Sequence, residues 1–274
     1  MNLATTHMYG TLGRAARIPA IALIALFSGL PIAHAQDDAK MENPAAKILK
    51  AMSTYVAAQN SISASFDSDI EVITPSVQKI QFTNSGQLEI GRPNKLRVSR
   101  TGGYTDVELV FDGTTATVLG RHSNIFASVN APGTIDQLVD RLRDEHSFSI
   151  PAADLLMSDS YDRLAEDVIE ARHIGEGVID GVECDHLAFR NMDTDWQLWV
   201  EKGDNPVPRK YVITSKGVAG APQYTIKFRD WKTDAVVDAS AFVFKAPADA
   251  KKLEIKDVQD IDEIPVGTIA GGEQ

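Results

Sequence analysis

Apolar and polar residues alternate with a period of two over long stretches of the chain, and this pattern constrains the fold more strongly than any other feature. In residues 64–72, 79–90 and 95–100 the even-numbered positions are mostly apolar, and the positions between them are Ser, Thr, Gln, Asp, Glu, Lys or Arg. Successive side chains of a β-strand point to opposite faces of the sheet. The pattern therefore predicts strands with one buried and one solvated face, which is typical of antiparallel sheets.

Further strands are predicted on both sides of a helical region. A strand over 107–111 ends at Asp112-Gly113, a strong signal for a hairpin, and the chain returns over 115–119. The remaining predicted strands are 125–129, 181–190, 196–201, 209–215, 223–231 and 242–245. Residues 168–177 are expected to form an irregular connector. Two runs of antiparallel strands around a few helices indicate an α+β fold, and so long a sheet must curl or close.

Helical periodicity occurs at three places. Apolar residues at i, i+4, i+7 and i+8 predict a helix over 44–58, with Asn43 as its N-cap and a proline in the first turn. A second helix is predicted over 134–145, and a third begins at residue 152 and is extended or followed by 161–166. If the sheet curls around these later helices, the space between them is a natural apolar cavity.

The N-terminal residues have the features of an export signal. Arg14 and Arg17 precede the apolar run 18–30, and Ala33-His34-Ala35 matches an A-x-A cleavage site. The run is shorter than the roughly 20 residues of a transmembrane helix, and no cysteine that could be lipidated follows it closely. We therefore predict that residues 1–35 are a cleaved signal peptide and that the protein is periplasmic without a lipid anchor. A retained N-terminal anchor is the alternative.

The rest of the chain is predicted to form one domain. We expect a polar leader over 36–43, a single domain over 44–250 and an acidic flexible tail over 251–274. Without the signal peptide, 25 Lys and Arg residues stand against 38 Asp and Glu residues, which gives a net charge of −13. So acidic a chain is unsuited to binding nucleic acid or an anionic membrane surface. We expect a monomer.

Residues that could carry catalysis or bind a metal are sparse. Cys184 is the single cysteine, so no internal disulfide forms, and it lies about 6.5 Å from His186 along a strand, too far for a direct bond. We interpret the pair as a buried thiol and a core histidine. There is no second cysteine or His pair for a metal site, and no nucleotide-binding or nucleophile motif. We therefore predict no catalytic residues, no metal and no cofactor.

The tryptophan-rich segment leaves two alternatives open. Asp193, Asp195 and Glu201 could form an acid pair beside the tryptophans, as in a sugar site, although acidic residues next to a turn are usually solvated. Trp196 and Trp199 lie on opposite faces of their strand, so one of them should face the interior. That inner tryptophan is either structural packing or part of a ligand-binding wall.

The order of several short motifs resembles that of a known fold. These motifs are Gly86-x-Leu88-x-x-x-Arg92-Pro93-x-x-Leu96-Arg97, Val110-Phe111-Asp112-Gly113 and Pro206-x-Pro208-Arg209. Over residues 42–247 the chain resembles the periplasmic lipoprotein carriers and their outer-membrane receptors, the LolA/LolB-type fold. The segments 177–187 and 195–199 resemble more closely a family of predicted exported proteins of unknown function, which is placed with the same fold.

The resemblance implies an incomplete, strongly curved antiparallel β-barrel that is closed by a helical lid and encloses an apolar cavity for acyl chains. In the carriers the arginine of the Arg-Pro pair helps to hold the lid closed, and Arg92 matches that position. Without the resemblance, Arg92 is a surface arginine in a turn. This chain has aliphatic Leu96 and Val98 where the carriers have aromatic residues, and Glu89 or Ile90 at the usual place of a tryptophan. The cavity is therefore expected to differ in shape or to hold something smaller than a triacylated lipoprotein.

The function predicted from these features is non-enzymatic binding of a lipid, an acyl chain or a lipidated protein, with a lipoprotein or an envelope protein as the expected macromolecular partner. Burial of an acyl chain contributes about 0.8 kcal/mol per methylene, so even a modest cavity would bind lipid. The candidate ligand-binding residues are Arg92, Phe66, Ile70, Phe82, Leu88, Leu96, Val98, Leu109 and Trp196. One alternative is an envelope lipid or stress sensor that acts through a protein partner. The other is an envelope hydrolase, which would need a strongly perturbed acid or base in the cavity.

Overall fold

One twelve-stranded sheet organises the protein in the computed structural model, which describes residues 43–258 apart from 147 and 149. The strands are β1 (Ser61–Ile73), β2 (Lys79–Gly91), β3 (Lys95–Gly102), β4 (Asp106–Phe111), β5 (Thr115–Gly120), β6 (Ile125–Asn130), β7 (Glu170–Ile179), β8 (Val182–Arg190), β9 (Thr194–Glu201), β10 (Pro208–Ser215), β11 (Gln223–Thr233) and β12 (Lys251–Leu253). Their order across the sheet is β12-β6-β5-β4-β3-β2-β1-β11-β10-β9-β8-β7. Neighbouring strands are antiparallel, except that β12 runs parallel to β6. The sheet is open and curved, which confirms the predicted fold class.

The helices lie against one face of this sheet, which we call the inner face. They are α1 (Pro44–Ala58), α2 (Ile135–His146) and α3 (Ser160–Ala165), and 3-10 turns cover Ala153–Leu156, Ala239–Phe242 and Ile255–Val258. The start of α1 agrees with its sequence: Asn43 Oδ1 accepts a hydrogen bond from the Ala45 N–H at 2.8 Å. Pro44 occupies the first turn, where a missing N–H leaves no intrahelical hydrogen bond unmade.

Two meanders make up the sheet, and they meet at β1. Strands β1 to β6 follow one another in space as they do in sequence, and so do β7 to β11. Along one edge β1 pairs with β2, and along the other it pairs with β11, where Phe66 lies opposite Phe228. Phe66 also lies opposite Gly86, so the even-numbered residues of β1 and β2 share the inner face.

The structure corrects three expectations about the elements. Residues 170–179, expected in a connector, form β7, whose exposure on the sheet edge removes the apolar alternation that predicts strands. Residues 242–245 do not form a strand; Phe242 ends a 3-10 turn and its buried ring lies beside Gly91. Residues 251–253 pair with β6 rather than belonging to a loose tail, and Val258 is buried. The predicted signal peptide, the leader up to residue 42 and the tail from residue 259 lie outside the described residues.

Candidate ligand-binding cavity

An apolar cavity of about 110 Å³ lies between the inner face of the sheet and the segment 150–165, which we call the lid. The sheet side of the wall comes from β1 to β5 and β11, and the other side comes from α2, Phe148 and the lid. The residues of the sheet wall are Phe66, Leu88, Ile90, Leu96, Val98, Arg100, Val107, Glu108, Leu109, Val118, Tyr224, Ile226 and Phe228. Most of this wall is hydrocarbon, and Glu108 is held by ion pairs with Arg97 at 2.6 Å and Arg121 at 3.1 Å.

The lid covers the cavity with its own apolar residues. Ala153, Leu156 and Met157 line the cavity, and Leu155 and Leu164 are buried in the same apolar core. From α2, Ile135 and Val139 reach the cavity as well. The lid and α2 together therefore close the open side of the curved sheet.

Arg92 connects the sheet to the lid. Its guanidinium donates to the Leu156 carbonyl oxygen at 2.6 Å, and a longer contact of 3.5 Å reaches the Val56 carbonyl oxygen near the end of α1. A cation at the C-terminal end of a helix is favourable because the carbonyl groups there carry partial negative charge. The neighbouring Pro93 carbonyl accepts from the Ile135 N–H at 2.9 Å, at the start of α2. One turn between β2 and β3 thus contacts α1, α2 and the lid.

The Arg92 side chain makes these contacts from a largely buried position. Burial lowers the pKa of its guanidinium, and the nearby charge of Asp136 acts in the opposite direction. Its Nε is buried and has no hydrogen-bond partner among the described residues. An unpaired buried donor costs free energy. Keeping Arg92 in this turn is therefore unfavourable unless its contact with the lid serves a function.

Two further polar contacts join the lid to α2. Asp136 accepts hydrogen bonds from the Ser158 hydroxyl and, at 3.2 Å, from the Ser158 N–H. Arg163 donates to both carboxylate oxygens of Asp140, at 2.8 and 2.9 Å. The hydrogen bond from Arg163 holds the pKa of Asp140 below its usual value, whereas burial acts in the opposite direction. Several separate polar contacts therefore hold the lid in place, and each of them can be removed by a single substitution.

The structure brings five of the nine predicted ligand-binding residues together on the cavity wall. These five are Phe66, Leu88, Leu96, Val98 and Leu109. The resemblance-based role of Arg92 fits its contact with the lid, but its side chain lies beside the cavity and not in the wall.

The other three predicted residues lie away from the wall. Ile70 and Phe82 face each other near the far end of β1 and β2, where Phe82 packs edge-on against Tyr104 at 5.4 Å instead of reaching the cavity. Trp196 is buried in the other half of the sheet, stacked on Phe189. The alternation of apolar and polar residues predicts which face of a strand is buried, but not where along the strand the cavity lies. The three residues were therefore predicted on the buried face but wrongly assigned to the cavity wall.

Residues of β11 were missing from the predicted wall. Tyr224, Ile226 and Phe228 line the cavity because β11 pairs with β1, and their alternation was visible in the sequence. What the sequence did not reveal is that the last long strand returns to lie beside the first. The lid residues were also missed, because a short 3-10 turn has little periodicity of its own.

Cys184 and His186 have different surroundings in the structure. Cys184 is fully buried, and this burial raises the pKa of its thiol. The interpretation of His186 as a core histidine is wrong, because its ring lies on the outer face, stacked on Trp199 at 4.1 Å and hydrogen-bonded to Gln197 at 3.0 Å. The prediction that the two tryptophans lie on opposite faces of their strand is confirmed, because Trp196 is buried and Trp199 faces outwards.

Asp195 and Glu201, two of the acidic residues beside the tryptophans, form ion pairs with basic residues. Asp195 accepts from Arg190 at 2.9 and 3.0 Å and lies 3.1 Å from Lys216. The Arg190 hydrogen bond lowers the pKa of Asp195 to about 2, against the opposing effect of burial. Glu201 is paired with Arg209 at 2.6 Å. These charges are balanced locally, so this part of the sheet is built for packing.

Among the described residues, no group of three or more His, Cys, Asp or Glu side chains is arranged to hold a metal ion. None of the helices in that same part of the chain has the length and apolar character needed to cross a membrane.

Several solved structures are similar to the chain at low sequence identity. An uncharacterized conserved protein from Thermus thermophilus is 12% identical, with a TM-score of 0.46 over 76% of this chain and 97% of that one. The MucA/MucB complex of Pseudomonas aeruginosa gives 15% identity and a TM-score of 0.44, over 74% of this chain and 61% of the matched chain. LolA superfamily protein NE2245 from Nitrosomonas europaea is 12% identical in sequence, with a TM-score of 0.31 over 73% of this chain and 97% of that one.

Comparison at the level of sequence identifies a family that covers most of the chain. A family model described as "Predicted periplasmic protein (DUF2092)" matches residues 45–256, which include every strand and helix described above apart from the first residue of α1 and the end of the last 3-10 turn. No curated protein matches the chain.

Proposed function

The chain belongs to the DUF2092 family of predicted periplasmic proteins, and from that premise we propose that it is a non-enzymatic binding protein that takes a lipid or acyl chain into the cavity under its lid. The observation that carries the proposal is the cavity itself: a hydrocarbon-lined space beneath a segment that polar contacts hold in place. Apolar cavities of this kind bind apolar ligands because burial removes hydrocarbon from water.

The size of the cavity indicates that the lid moves when ligand binds. An engineered protein cavity of about 150 Å³ holds one benzene molecule. At about 110 Å³, the cavity described here is smaller than that, so a long acyl chain enters only if the lid shifts outwards.

The free energy available from an acyl chain is large enough for this movement. About eight buried methylenes contribute roughly 6 kcal/mol. The hydrogen bond from Arg92 to Leu156 involves a charged donor and is worth about 1.5–3 kcal/mol. The half-exposed pair of Arg163 and Asp140 contributes at most about 1 kcal/mol. Ligand burial therefore outweighs these two contacts with the lid.

The proposal is tested by ligand content and by uptake of an acyl probe. Protein purified from the periplasm without detergent should carry acyl ligand in native mass spectrometry, and the emptied protein should bind a fluorescent fatty acid. Val98→Asp should weaken probe binding at least about tenfold, because it places a charge in the apolar wall. The control Val178→Asp makes the same change on the exposed edge strand and should leave binding unchanged. A wild-type protein that carries no ligand and takes up no probe would overturn the proposal.

A second candidate, binding of a protein partner, is favoured by the edge strand β7. Ile174 and Val178 are exposed on this strand, Ile169 is exposed just before it, and beyond β7 no described strand follows. The free backbone groups of an edge strand can pair with an extended peptide. A partner captured only in the presence of acyl ligand, and lost in Ile174→Lys but not in the exposed-turn control Val77→Lys, would support a lipid sensor. Equal capture by both variants would contradict it.

A further inference from the structure

Two polar side chains interrupt the apolar inner face at the end of the cavity remote from Arg92. Ser68 and Asn84 lie opposite each other in the pairing of β1 with β2, and Ser68 also lies opposite Ile226, which lines the cavity. One step closer to the lid, the same face carries Phe66, another wall residue. The two polar residues therefore do not line the cavity themselves, but they adjoin its wall on the side away from the lid.

Both side chains are buried and incompletely paired. Ser68 is 1% exposed and Asn84 is 2% exposed. The Asn84 Nδ2 donates to the Tyr104 hydroxyl at 2.9 Å, but Asn84 Oδ1 and Ser68 Oγ have no hydrogen-bond partner among the described residues. Nearly all buried polar groups in proteins are hydrogen-bonded, so two neighbouring exceptions beside the cavity wall indicate a partner that comes from outside the chain.

The position of Asn84 is fixed by its surroundings. Its amide lies directly over Gly102, where an added Cβ would collide with Oδ1. On its other side the Tyr104 hydroxyl holds Nδ2, and the Tyr104 ring is braced against Phe82. The unpaired oxygen is thus held at a fixed position beside the cavity, and a fixed acceptor is what recognition of a defined hydrogen-bond donor requires.

We propose that Ser68 and Asn84 recognise the polar head of a single-chain amphiphile whose head carries a neutral hydrogen-bond donor, a hydroxyl or an amide N–H. The hydrocarbon chain then runs past Phe66 towards the lid. A neutral donor suits these two uncharged oxygens better than an ammonium group, because burying a charge without a counter-ion is strongly unfavourable. This inference rests on the proposed function and adds the class of ligand and its direction in the cavity.

The test compares two ligands that differ in one hydrogen-bond donor. Dodecan-1-ol and its methyl ether have the same alkyl chain and the same oxygen atom, but only the alcohol can donate. Competition of each against a fluorescent fatty acid should show the alcohol binding about tenfold more tightly to the wild-type protein, the effect of one additional hydrogen bond in a buried site. Ser68→Ala combined with Asn84→Leu should make the two affinities equal without weakening the ether.

Controls separate this inference from the proposed function. Ser65→Ala removes a hydroxyl from the other face of β1 and should keep the preference for the alcohol. Ser68→Ala alone should reduce the preference if the double variant does not fold. Equal affinities in the wild type, as expected if only ordered water pairs with the two oxygens, would overturn the inference and leave the proposed function standing. Failure of the probe and both ligands to bind would overturn both.

Discussion

The two halves of the sheet bury their inner faces in different ways. In the half formed by β8 to β10, Phe189, Trp196 and Tyr211 pack together, with ring centroids 3.8 and 5.8 Å apart, beneath the side covered by α1. In the half formed by β2 to β5, the corresponding positions carry aliphatic residues such as Leu96 and Val98, and a cavity remains. We call these the packed half and the hollow half.

The same strand pattern can give either a solid core or a binding site. Both halves alternate apolar and polar residues, and both have helical segments on the inner face. What differs is the size of the inward side chains: aromatic rings fill the space under a helix, whereas branched aliphatic chains leave part of it empty. Matched pairs of substitutions, one in each half, test this difference by changing side-chain size or charge.

The largest difference is expected from truncating a leucine. Leu198→Ala in the packed half should lower the free energy of unfolding by about 4 kcal/mol, because the surrounding rings cannot close the new void. Leu109→Ala in the hollow half should cost about 2 kcal/mol, since Leu109 already borders empty space. Urea unfolding of both variants measures the difference. Equal losses would show that the hollow half is packed as tightly as the other.

Enlarging a valine is the opposite change in side-chain size, and it should again destabilise the packed half more than the hollow half. Val200→Phe is expected to destabilise the packed half by about 1–3 kcal/mol through overpacking. Val98→Phe should leave the melting temperature unchanged or raise it, because the ring enters the cavity, and it should block uptake of an acyl probe. Thermal unfolding and probe titration check the pair. A Val98→Phe protein that still bound the probe normally would place the ligand elsewhere.

A smaller effect is expected from removing an arginine in each half. Arg92→Leu should release the lid and speed probe uptake about tenfold, because the hydrogen bond to Leu156 is worth about 1.5–3 kcal/mol. Arg209→Leu removes an arginine paired with Glu201 in the packed half and should not alter uptake. Stopped-flow fluorescence measures both rates. Similar acceleration in the two variants would indicate general loosening of the fold.

The smallest effects concern two carboxylates, one in each half. The folded-state pKa of Asp140 and Asp195 is depressed, so each carboxylate stabilises the fold above its unfolded pKa, and this stabilisation is lost as the pH falls through the folded value. For Asp195 that window runs from about 4 down to about 2. Because both groups are partly exposed, each contributes less than about 1 kcal/mol.

The pH dependence of stability in asparagine variants measures these contributions. Asp195→Asn should be slightly less stable than the wild type at pH 7, and the difference in melting temperature should vanish near pH 2. Asp140→Asn should behave similarly and should also speed probe uptake, since Asp140 holds the lid through Arg163. A stability difference that persists at the acidic end of the titration would mean that the asparagine acts through packing and not through lost charge.

Much of the hollow half could be predicted from the sequence. Alternation identified Phe66, Leu88 and Leu109 as inward residues, and the structure places them on one wall. The resemblance to a family of exported proteins of unknown function is confirmed by the match over residues 45–256. These features are local, because they depend on the period of a strand or on short motifs.

The features that were missed depend on distant parts of the chain or on exposure. The share of β11 in the wall follows from its pairing with β1, which no local pattern encodes. Strand β7 has little apolar alternation because it is exposed at the sheet edge, and Gly175 and Gly177 made it resemble a loop. The contact of Arg92 with the lid was expected only through the resemblance, since a turn arginine has no periodicity to interpret.

The pairing of β1 with β11 also has a consequence for the order in which the protein can fold. Ile62 lies near the start of the described chain and Thr233 near its end, yet they are partners in the sheet. As the chain is synthesised, the meander from β1 to β6 must therefore wait, with one long edge of β1 uncovered, until β11 has emerged. Sheets closed by such distant contacts form slowly, and uncovered edges invite association between chains. A chain truncated before residue 223 would keep that edge permanently open, so its fate should be aggregation or degradation instead of a smaller binding protein.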